Sequence, residues 1–286
     1  MNIISVYKKF PTKEKCIDHL EHVRWNDKPT CPYCKSKKQT PLKEAGRRYH
    51  CNTCNTSYGV TVGTIFHNTK LDLQKWFLAI SLILNAKKGI SARQLGRDLN
   101  VTKDTAWYME MRVRKAMASD YELLRGIVEM DETYIGGKPR WHDKDNKRGR
   151  GTKKIPVVGM VERDGNIRAF VSDKIDSKKL ESLVRRNIAL DDSILSTDCF
   201  TAYRRMNKIL PHVTVDHSKT YVDGIAHTNT AECFWALLKR GIVGQYHKVS
   251  RKYLPLYINE FSFRFSNRKI ANDLLFGSTI LRAVGA

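Results

Sequence analysis

Residues 127–137, Ile-Val-Glu-Met-Asp-Glu-Thr-Tyr-Ile-Gly-Gly, constrain the fold more than any other stretch. Residues 127–135 alternate and are rich in β-formers, so they read as a strand that ends at a pair of glycines. Successive strand side chains point to opposite faces. With Val128 and Met130 packed on one face, Glu129 and Asp131 share the other, and Glu132 points away from Asp131. An acid in an otherwise apolar strand is costly to bury without a partner. The stretch therefore predicts either a functional carboxylate or a rim acid paired with Lys or Arg.

The segments after this strand supply its neighbours. Residues 155–161 and 166–171 are two β-rich runs around Asp164-Gly165, a hairpin signal. Asp176-Ser177 caps a helix through Leu180, Leu183, Val184 and Ile188. Residues 194–197 read as a strand ending in Asp198, residues 201–210 as helical, and residues 212–215 as another short strand. A last helix runs from about His227 to Lys239, with Phe234, Leu237 and Leu238 on its apolar side. The order β-β-β-α-β-α-β-α, an antiparallel trio followed by parallel crossovers, is that of the RNase H-like fold. There the first and fourth strands are parallel neighbours, so Asp131 and Asp198 are expected side by side, with Glu232 reaching over the same end. Three converging carboxylates have few stable arrangements without divalent cations. Oxygen-only ligation suits Mg²⁺ or Mn²⁺, and two such ions would serve an in-line displacement at a phosphodiester.

The N-terminal segment is organised by metal. Cys31-x-x-Cys34 and Cys51-x-x-Cys54 are separated by sixteen residues, enough for a hairpin turning at Gly46. Four thiolates in tetrahedral geometry suit one structural zinc ion. The alternative, two redox-active pairs, lacks the βαβ surroundings of such sites. His50 adjoins a ligand, but the set of cysteines is complete without it. Cys16, on a short helix closed by Trp25, reads as a small buried residue, and so do Cys199 and Cys233.

Between these parts, Leu71, Leu73, Trp76, Phe77, Ile80 and Leu84 recur at helical spacing. Ser91 then caps one short helix and Thr102 a second, across a turn at Asn100-Val101. This is the helix-turn-helix pattern, and it places Thr102, Lys103, Asp104 and Thr105 at the end that enters a DNA groove. Three-helix bundles that touch no DNA share the pattern, but the formal charge of +22 favours a polyanionic partner. Residues 138–154 carry eight Lys or Arg, including Arg148 and Arg150, and read as a basic loop, either clamping DNA backbone or simply solvated. No apolar run approaches the roughly 20 residues of a membrane span, and residues 1–10 lack a signal-peptide core. A cytoplasmic, prokaryotic, nucleoid-associated protein is expected.

On these residues the chain resembles the ISXO-like insertion-sequence transposases of the DDE superfamily. The resemblance rests on the two cysteine pairs, on residues 131–138, on Thr197-Asp198, and on His227-x-Asn229-x-x-Glu232-x-Phe234-Trp235-x-Leu237-Leu238-Lys239-Arg240-Gly241. It implies that Asp131, Asp198 and Glu232 bind magnesium and catalyse strand cleavage and strand transfer. It also implies recognition of terminal inverted repeats by the N-terminal units, double-stranded DNA as both transposon end and target, and work as a homo-oligomer. Some members are described with Asn as the third catalytic residue, and Asn229 lies three residues before Glu232 on the same helical face. Asn229 is assigned instead to a supporting or DNA-contacting role, His227 to orienting a water or phosphate or to packing at the helix start, and Lys239 and Arg240 to the DNA path. Trp235 is assigned to the core.

The expected architecture is α+β and multidomain: a zinc ribbon over residues 1–65, a helix-turn-helix bundle over 66–125, and an RNase H-like mixed-sheet catalytic domain over 126–275. Residues from Gly277 onward carry no readable pattern. Two other functions share parts of this pattern. A non-catalytic DNA-binding regulator would use only the first two units, and an RNase H-like nuclease would apply the same acids to another nucleic acid.

Overall fold

The computed structural model describes residues 1–42, 47–118, 122–137, 153–216, 218–220 and 222–285. The chain divides into two compact units, residues 1–117 with 270–286, and residues 118–269.

The first unit opens with helices α1 (Ile3–Lys9) and α2 (Lys13–Trp25). A three-stranded antiparallel ribbon comes next, β1 (Gln39–Leu42), β2 (Arg48–Cys51) and β3 (Thr56–Gly59), in the order β1-β2-β3. Its small core is Tyr58 between the buried Cys31 and Cys51, with Trp25 and Tyr49 packed against it. Then come α3 (Leu73–Asn85), α4 (Ala92–Leu99) and α5 (Lys103–Ala116). Ser91 and Thr102 cap α4 and α5 as expected: their hydroxyls accept the backbone N–H of Gln94 and Thr105. The turn between them is tight. Asn100 is left-handed (φ 49°) and Val101 N–H donates to Gly96 O at 2.9 Å. A Cβ on Gly96 would lie 2.9 Å from Val101 O, so only glycine admits this approach. Within the bundle, the side chains of Glu110 and Arg114, both almost fully buried, pair at 3.1 Å.

Residues beyond 270, where the sequence offers no pattern past Gly277, form a full helix, α9 (Asn272–Gly285). It packs among α2, α3 and α5 of the first unit through Leu275, Phe276, Thr279, Ile280 and Ala283.

The second unit is built on a five-stranded sheet. Its strands are β4 (Leu124–Ile135), β5 (Ile155–Glu162), β6 (Ile167–Val171), β7 (Ile188–Asp198) and β8 (His212–Val215), in the order β6-β5-β4-β7-β8. β4-β5 and β5-β6 are antiparallel, while β4-β7 and β7-β8 are parallel. That order and these directions are the RNase H-like arrangement. The hairpin turns at Asp164, which is left-handed (φ 60°). Between β7 and β8 the expected helix is two short 3₁₀ turns, Thr201–Tyr203 and Met206–Lys208. One face of the sheet buries Val128, Met130, Val158, Met160 and Leu195 against α6 (Ser177–Asn187). The helices α7 (Asn229–Gly241) and α8 (Leu254–Ser266) also pack on the sheet, α7 against β4 and β5, and α8 against β6 and α7. Phe234 of α7 meets Phe265 of α8 edge-on at 5.5 Å.

Candidate active site

The parallel register places Glu129 opposite Ser196. Two residues further along each strand are Asp131 and Asp198. Both therefore stand on the face that carries Glu129 and Ser196, Asp198 as the last residue of β7 and Asp131 within β4, two residues past its last pair with β7.

That face lies beneath the start of α7, and the buried Glu129 binds the helix to it. Its Oε2 accepts the backbone N–H groups of Thr230 (2.8 Å) and Ala231 (3.0 Å), and its Oε1 accepts the Thr230 hydroxyl (2.9 Å) and Arg163 Nε (2.7 Å). A helix start leaves backbone donors without intrahelical partners, and here a strand carboxylate takes two of them. Arg163 also donates through Nη2 to the carbonyls of Ile225 (2.8 Å) and His227 (3.1 Å). Ser196 Oγ donates to His227 O (2.8 Å) and accepts His227 N–H (3.1 Å). His227 Nδ1 stands 3.1 Å from Glu129 Oε1 without the alignment of a hydrogen bond. The backbone entering α7 is thus clamped to β4 and β7 on the side where the two aspartates project.

One helical turn beyond Glu232, Trp235 reaches the site itself. Its indole Nε1 donates to Asp131 Oδ2 at 3.0 Å. The ring lies over Gly159, the residue of β5 registered with Asp131. A Cβ at Gly159 would come within 2.6 Å of Trp235 Cζ2 and 2.7 Å of Cη2, so the glycine makes room for the indole. Burial, and then the charges of Glu132 and Asp198, push the Asp131 carboxyl up to about 7, against the pull of the Glu132 backbone N–H and the indole. On the opposite face of β4, Glu132 accepts a 2.7 Å hydrogen bond from the buried Tyr203 hydroxyl. Burial and the same acids hold that phenol well above its ordinary range. Lys239, one further turn along α7, lies near enough to feel the charges of Asp131 and Lys154; although its side chain is exposed, the protein around it displaces enough water to lower its pKa.

Glu232 is exposed in the first turn of α7, with Thr228 Oγ1 3.5 Å from its Oε1. Asn229, also exposed, opens the helix. Among the described residues, the four ribbon cysteines are the one group of three or more metal-ligand side chains already gathered about a point. The three acids are not gathered in that way. Asp131 and Asp198 are neighbours, and Glu232 would complete the set from the helix above. The donor chemistry nevertheless fits Mg²⁺ or Mn²⁺. The ligands offered are all carboxylate oxygens, and a carboxyl whose pKa is raised by burial and then by adjacent carboxylates is one that a cation would return to its ionised form.

In the ribbon, the four sulfurs lie within 4.8 Å of one another. Cys31 and Cys54 are 3.6 Å apart and Cys34 and Cys51 3.5 Å. Sulfurs at the corners of a zinc tetrahedron with ~2.3 Å bonds would be separated by about 3.8 Å. Each pair sits on the same knuckle: Lys35 N–H returns to Cys31 O and Asn55 N–H to Cys51 O, both at 2.9 Å, and both residues are left-handed (φ 62° and 55°). Backbone N–H groups of Cys54 and Thr53 bring the Cys51 thiol down to about 6. His50 is not a fifth ligand. Its Nε2 engages Asn55 Oδ1 at 2.9 Å and its Nδ1 lies 3.4 Å from Ser57 Oγ.

Residues 123–266 match the family model described as the ISXO2-like transposase domain, and residues 11–57 the transposase zinc-ribbon domain. The chain belongs to the ISXO2-like transposase family. Over 273 residues it is 27% identical to a protein described as an uncharacterized protein in transposable element ISH50 of Halobacterium salinarum, covering 90% of this chain and 92% of that one. An uncharacterized transposase-like protein of Haemophilus influenzae is 25% identical over 105 residues, covering 36% of this chain and 84% of that one. Among solved structures, the Mos1 transposase paired-end complex with left transposon end matches at 16% identity and a TM-score of 0.33, over 67% of this chain and 74% of that one. The magnesium complex of the HTLV-2 integrase catalytic core domain matches at 14% identity and 0.30, over 51% and 87%. These structural likenesses are remote, and the fold assignment stands on the strand order.

In this transposase Thr102 and Lys103 are exposed at the start of α5 and Thr105 is half-buried beside them, with the Thr102 hydroxyl engaged as the helix cap. Lys239 and Arg240 are exposed on α7. Arg148 and Arg150, with most of the basic stretch 138–154, lie outside the described residues, and so does the expected turn at Gly46. Cys16 is buried, but Cys199 and Cys233 are exposed, contrary to the sequence reading. Cys199 adjoins the last residue of β7, with its Sγ 3.3 Å from Val215 O, and Cys233 sits on an outward face of α7. Neither lies on the apolar side of its element. Strand parity placed Glu129 on the face of Asp131, but sequence reasoning gave it no role, missed Arg163 and Gly159, and took Trp235 for core alone.

No helix among the described residues is long and apolar enough to cross a membrane. The zinc ribbon leads to a direct expectation. Its apolar core is a few residues, so metal ligation should supply much of its folding free energy. Chelating zinc, or the substitution Cys51→Ser, is expected to collapse amide-exchange protection across β1–β3 while α3–α5 keep theirs. Unchanged protection of the Tyr49 and Tyr58 amides after complete zinc removal would refute this.

Proposed function

We propose that this transposase binds the terminal inverted repeats of its insertion sequence and cuts and joins DNA there, using Asp131, Asp198 and Glu232 to hold two Mg²⁺ or Mn²⁺ ions. The observation that carries this reading is the placement of Asp131 and Asp198 on the same face of adjoining parallel strands under α7. Bound there, the ions would supply Lewis-acid stabilisation of the attacking and leaving oxygens of a phosphodiester. The residues of the chain do the rest. Asp131 and Asp198 offer carboxylate oxygens from adjoining strands. Glu129 and Ser196 fix the start of α7, so that Glu232 is presented above that face. Asn229, His227, Lys239 and Arg240 line the neighbouring helix surface, where Lys239 and Arg240 would meet DNA phosphates. Glu232 is favoured over Asn229 as the third acid because it lies one turn from Trp235, which touches Asp131.

The residues at the start of α5, Thr102, Lys103 and Thr105, are assigned to DNA-end recognition, and the charge of +22 to the backbone contacts that accompany it. The basic stretch with Arg148 and Arg150 is assigned to the same path. Paired ends require at least two copies, so the active form is taken to be a homo-oligomer on nucleoid DNA in the cytoplasm.

The test is cleavage of labelled duplex carrying the ends that flank the gene, in buffer that keeps zinc, with and without Mg²⁺ or Mn²⁺. Nicking at the ends is expected only with the added ion. In Asp198→Ala it should fall by at least about a thousandfold, roughly 4 kcal/mol of transition-state stabilisation. DNA that is bound but uncut under every condition would favour a regulator, and preferential cutting of RNA–DNA hybrids a nuclease of another kind.

A further inference from the structure

We propose that Trp235 is a positioning residue for Asp131, its indole N–H engaging one carboxylate oxygen so that Asp131 serves a metal ion through the other oxygen alone. This rests on the reading of Asp131 as a metal ligand and adds to it the manner of ligation.

Three observations combine. The indole Nε1 is 3.0 Å from Asp131 Oδ2, a normal hydrogen bond. The ring is 4% exposed and held in place, over Gly159 on the sheet side and against Phe234 at 5.0 Å between centroids. And Gly159 is the β5 residue registered with Asp131, so the space the indole needs is opened at the acid it touches. Core packing alone would be met by Phe or Leu at 235. A side chain whose one polar atom is aimed at the candidate ligand does more. Trp donates and cannot accept, so it favours a carboxylate over a carboxylic acid pointing its proton that way.

The chemical consequence is selectivity. Ca²⁺ takes six to eight oxygens and commonly draws both from one carboxylate, whereas Mg²⁺ keeps a strict octahedron with one oxygen from each carboxylate. An Asp131 with Oδ2 already engaged is a poor chelating ligand and a good one-oxygen ligand. Partners that orient ligands in this way are typically worth about 10- to 100-fold in metal affinity.

The experiment uses the full-length, zinc-loaded protein. Mn²⁺ binding is measured by loss of the free-ion EPR signal, with Ca²⁺ as competitor, for wild type, Trp235→Phe and Asp131→Asn. A fourth protein carries 3-benzothienylalanine at position 235, which keeps the ring's shape and replaces N–H by sulfur. Near-ultraviolet circular dichroism confirms folding, and the isostere serves where Trp235→Phe does not fold. Expected is Mn²⁺ affinity weakened about tenfold by loss of the N–H, with Ca²⁺ competing more effectively than in wild type. Wild-type Mn²⁺ affinity and Ca²⁺ competition in the isostere, with binding lost in Asp131→Asn, would overturn the role of Trp235 alone. Undiminished Mn²⁺ binding in Asp131→Asn would overturn the metal-site reading itself, and this inference with it.

Discussion

Asp131→Asn is expected to abolish end nicking, by at least about a thousandfold, and at the same time to raise the melting temperature of the Mg²⁺-free protein at pH 8. The two effects share one cause. The fold pushes the Asp131 carboxyl from an ordinary 3.8 up to about 7, first by burial and then by the charges of Glu132 and Asp198. A folded-state pKa above the unfolded one means that the native state holds the proton more tightly. The stability associated with that proton is complete below about pH 4, and it is lost as the pH rises towards the folded value near 7. Above that, the protein carries a constant deficit of up to about 4 kcal/mol, at ~1.4 kcal/mol per pKa unit and less where solvent screens the partly exposed group. Asn is neutral at every pH and can still accept the indole hydrogen bond, so it removes the deficit. At ~2–4 °C per kcal/mol for a unit of this size, the gain at pH 8 should be several degrees and should shrink towards pH 5. Mg²⁺ should raise the melting temperature of wild type and leave the variant unmoved. Thermal melts at both pH values, with and without Mg²⁺, decide it. A variant melting at or below wild type at pH 8 without Mg²⁺ would show that Asp131 carries no such strain.

Much of this site was legible from the sequence because strands impose parity and thiolate pairs impose geometry. The alternation around Asp131 put Val128 and Met130 on the core face, where the structure buries both. It put Glu129 and Asp131 together on the other face, and the cysteine spacing carried the ribbon. What could not be read were contacts made across the sheet. Arg163 sits in a hairpin turn, and nothing local marks it as a partner of Glu129 thirty-four residues earlier. Gly159 reads as an ordinary strand glycine until Trp235 arrives from another element. Helix α9 carries its apolar residues, but their helical partners α2, α3 and α5 all lie more than 150 residues earlier, and the local pattern did not reveal that they pack together. Cys199 and Cys233 were misplaced for the opposite reason. Cysteine is usually buried, and that average outweighed their position beside elements that open towards the site.

Glu129→Ala should do the reverse of Asp131→Asn in stability, although the two acids are two residues apart on one strand face. Glu129 is fully buried, and every acceptor position seen on it is used by a donor that holds the start of α7. Removing the carboxylate leaves two helix-start N–H groups without acceptors and an Arg163 guanidinium, only 19% exposed, without its partner. Deleting one member of a buried pair costs about 3–5 kcal/mol, because the other charge remains. Loss of a helix cap adds about 1 kcal/mol. The second unit is therefore expected to melt about 10 °C lower or more. Glu129→Gln, which keeps the shape and one acceptor oxygen, should recover part of that loss. Activity should fall in both variants, since Glu232 is carried on the helix that Glu129 anchors, but Mn²⁺ binding through Asp131 and Asp198 should persist in Glu129→Gln. Thermal melts paired with Mn²⁺ titration separate the roles. A Glu129→Ala protein as stable as wild type would mean that α7 is held to the sheet by its apolar face alone. A Glu129→Gln protein that lost Mn²⁺ entirely would instead make Glu129 part of the metal site.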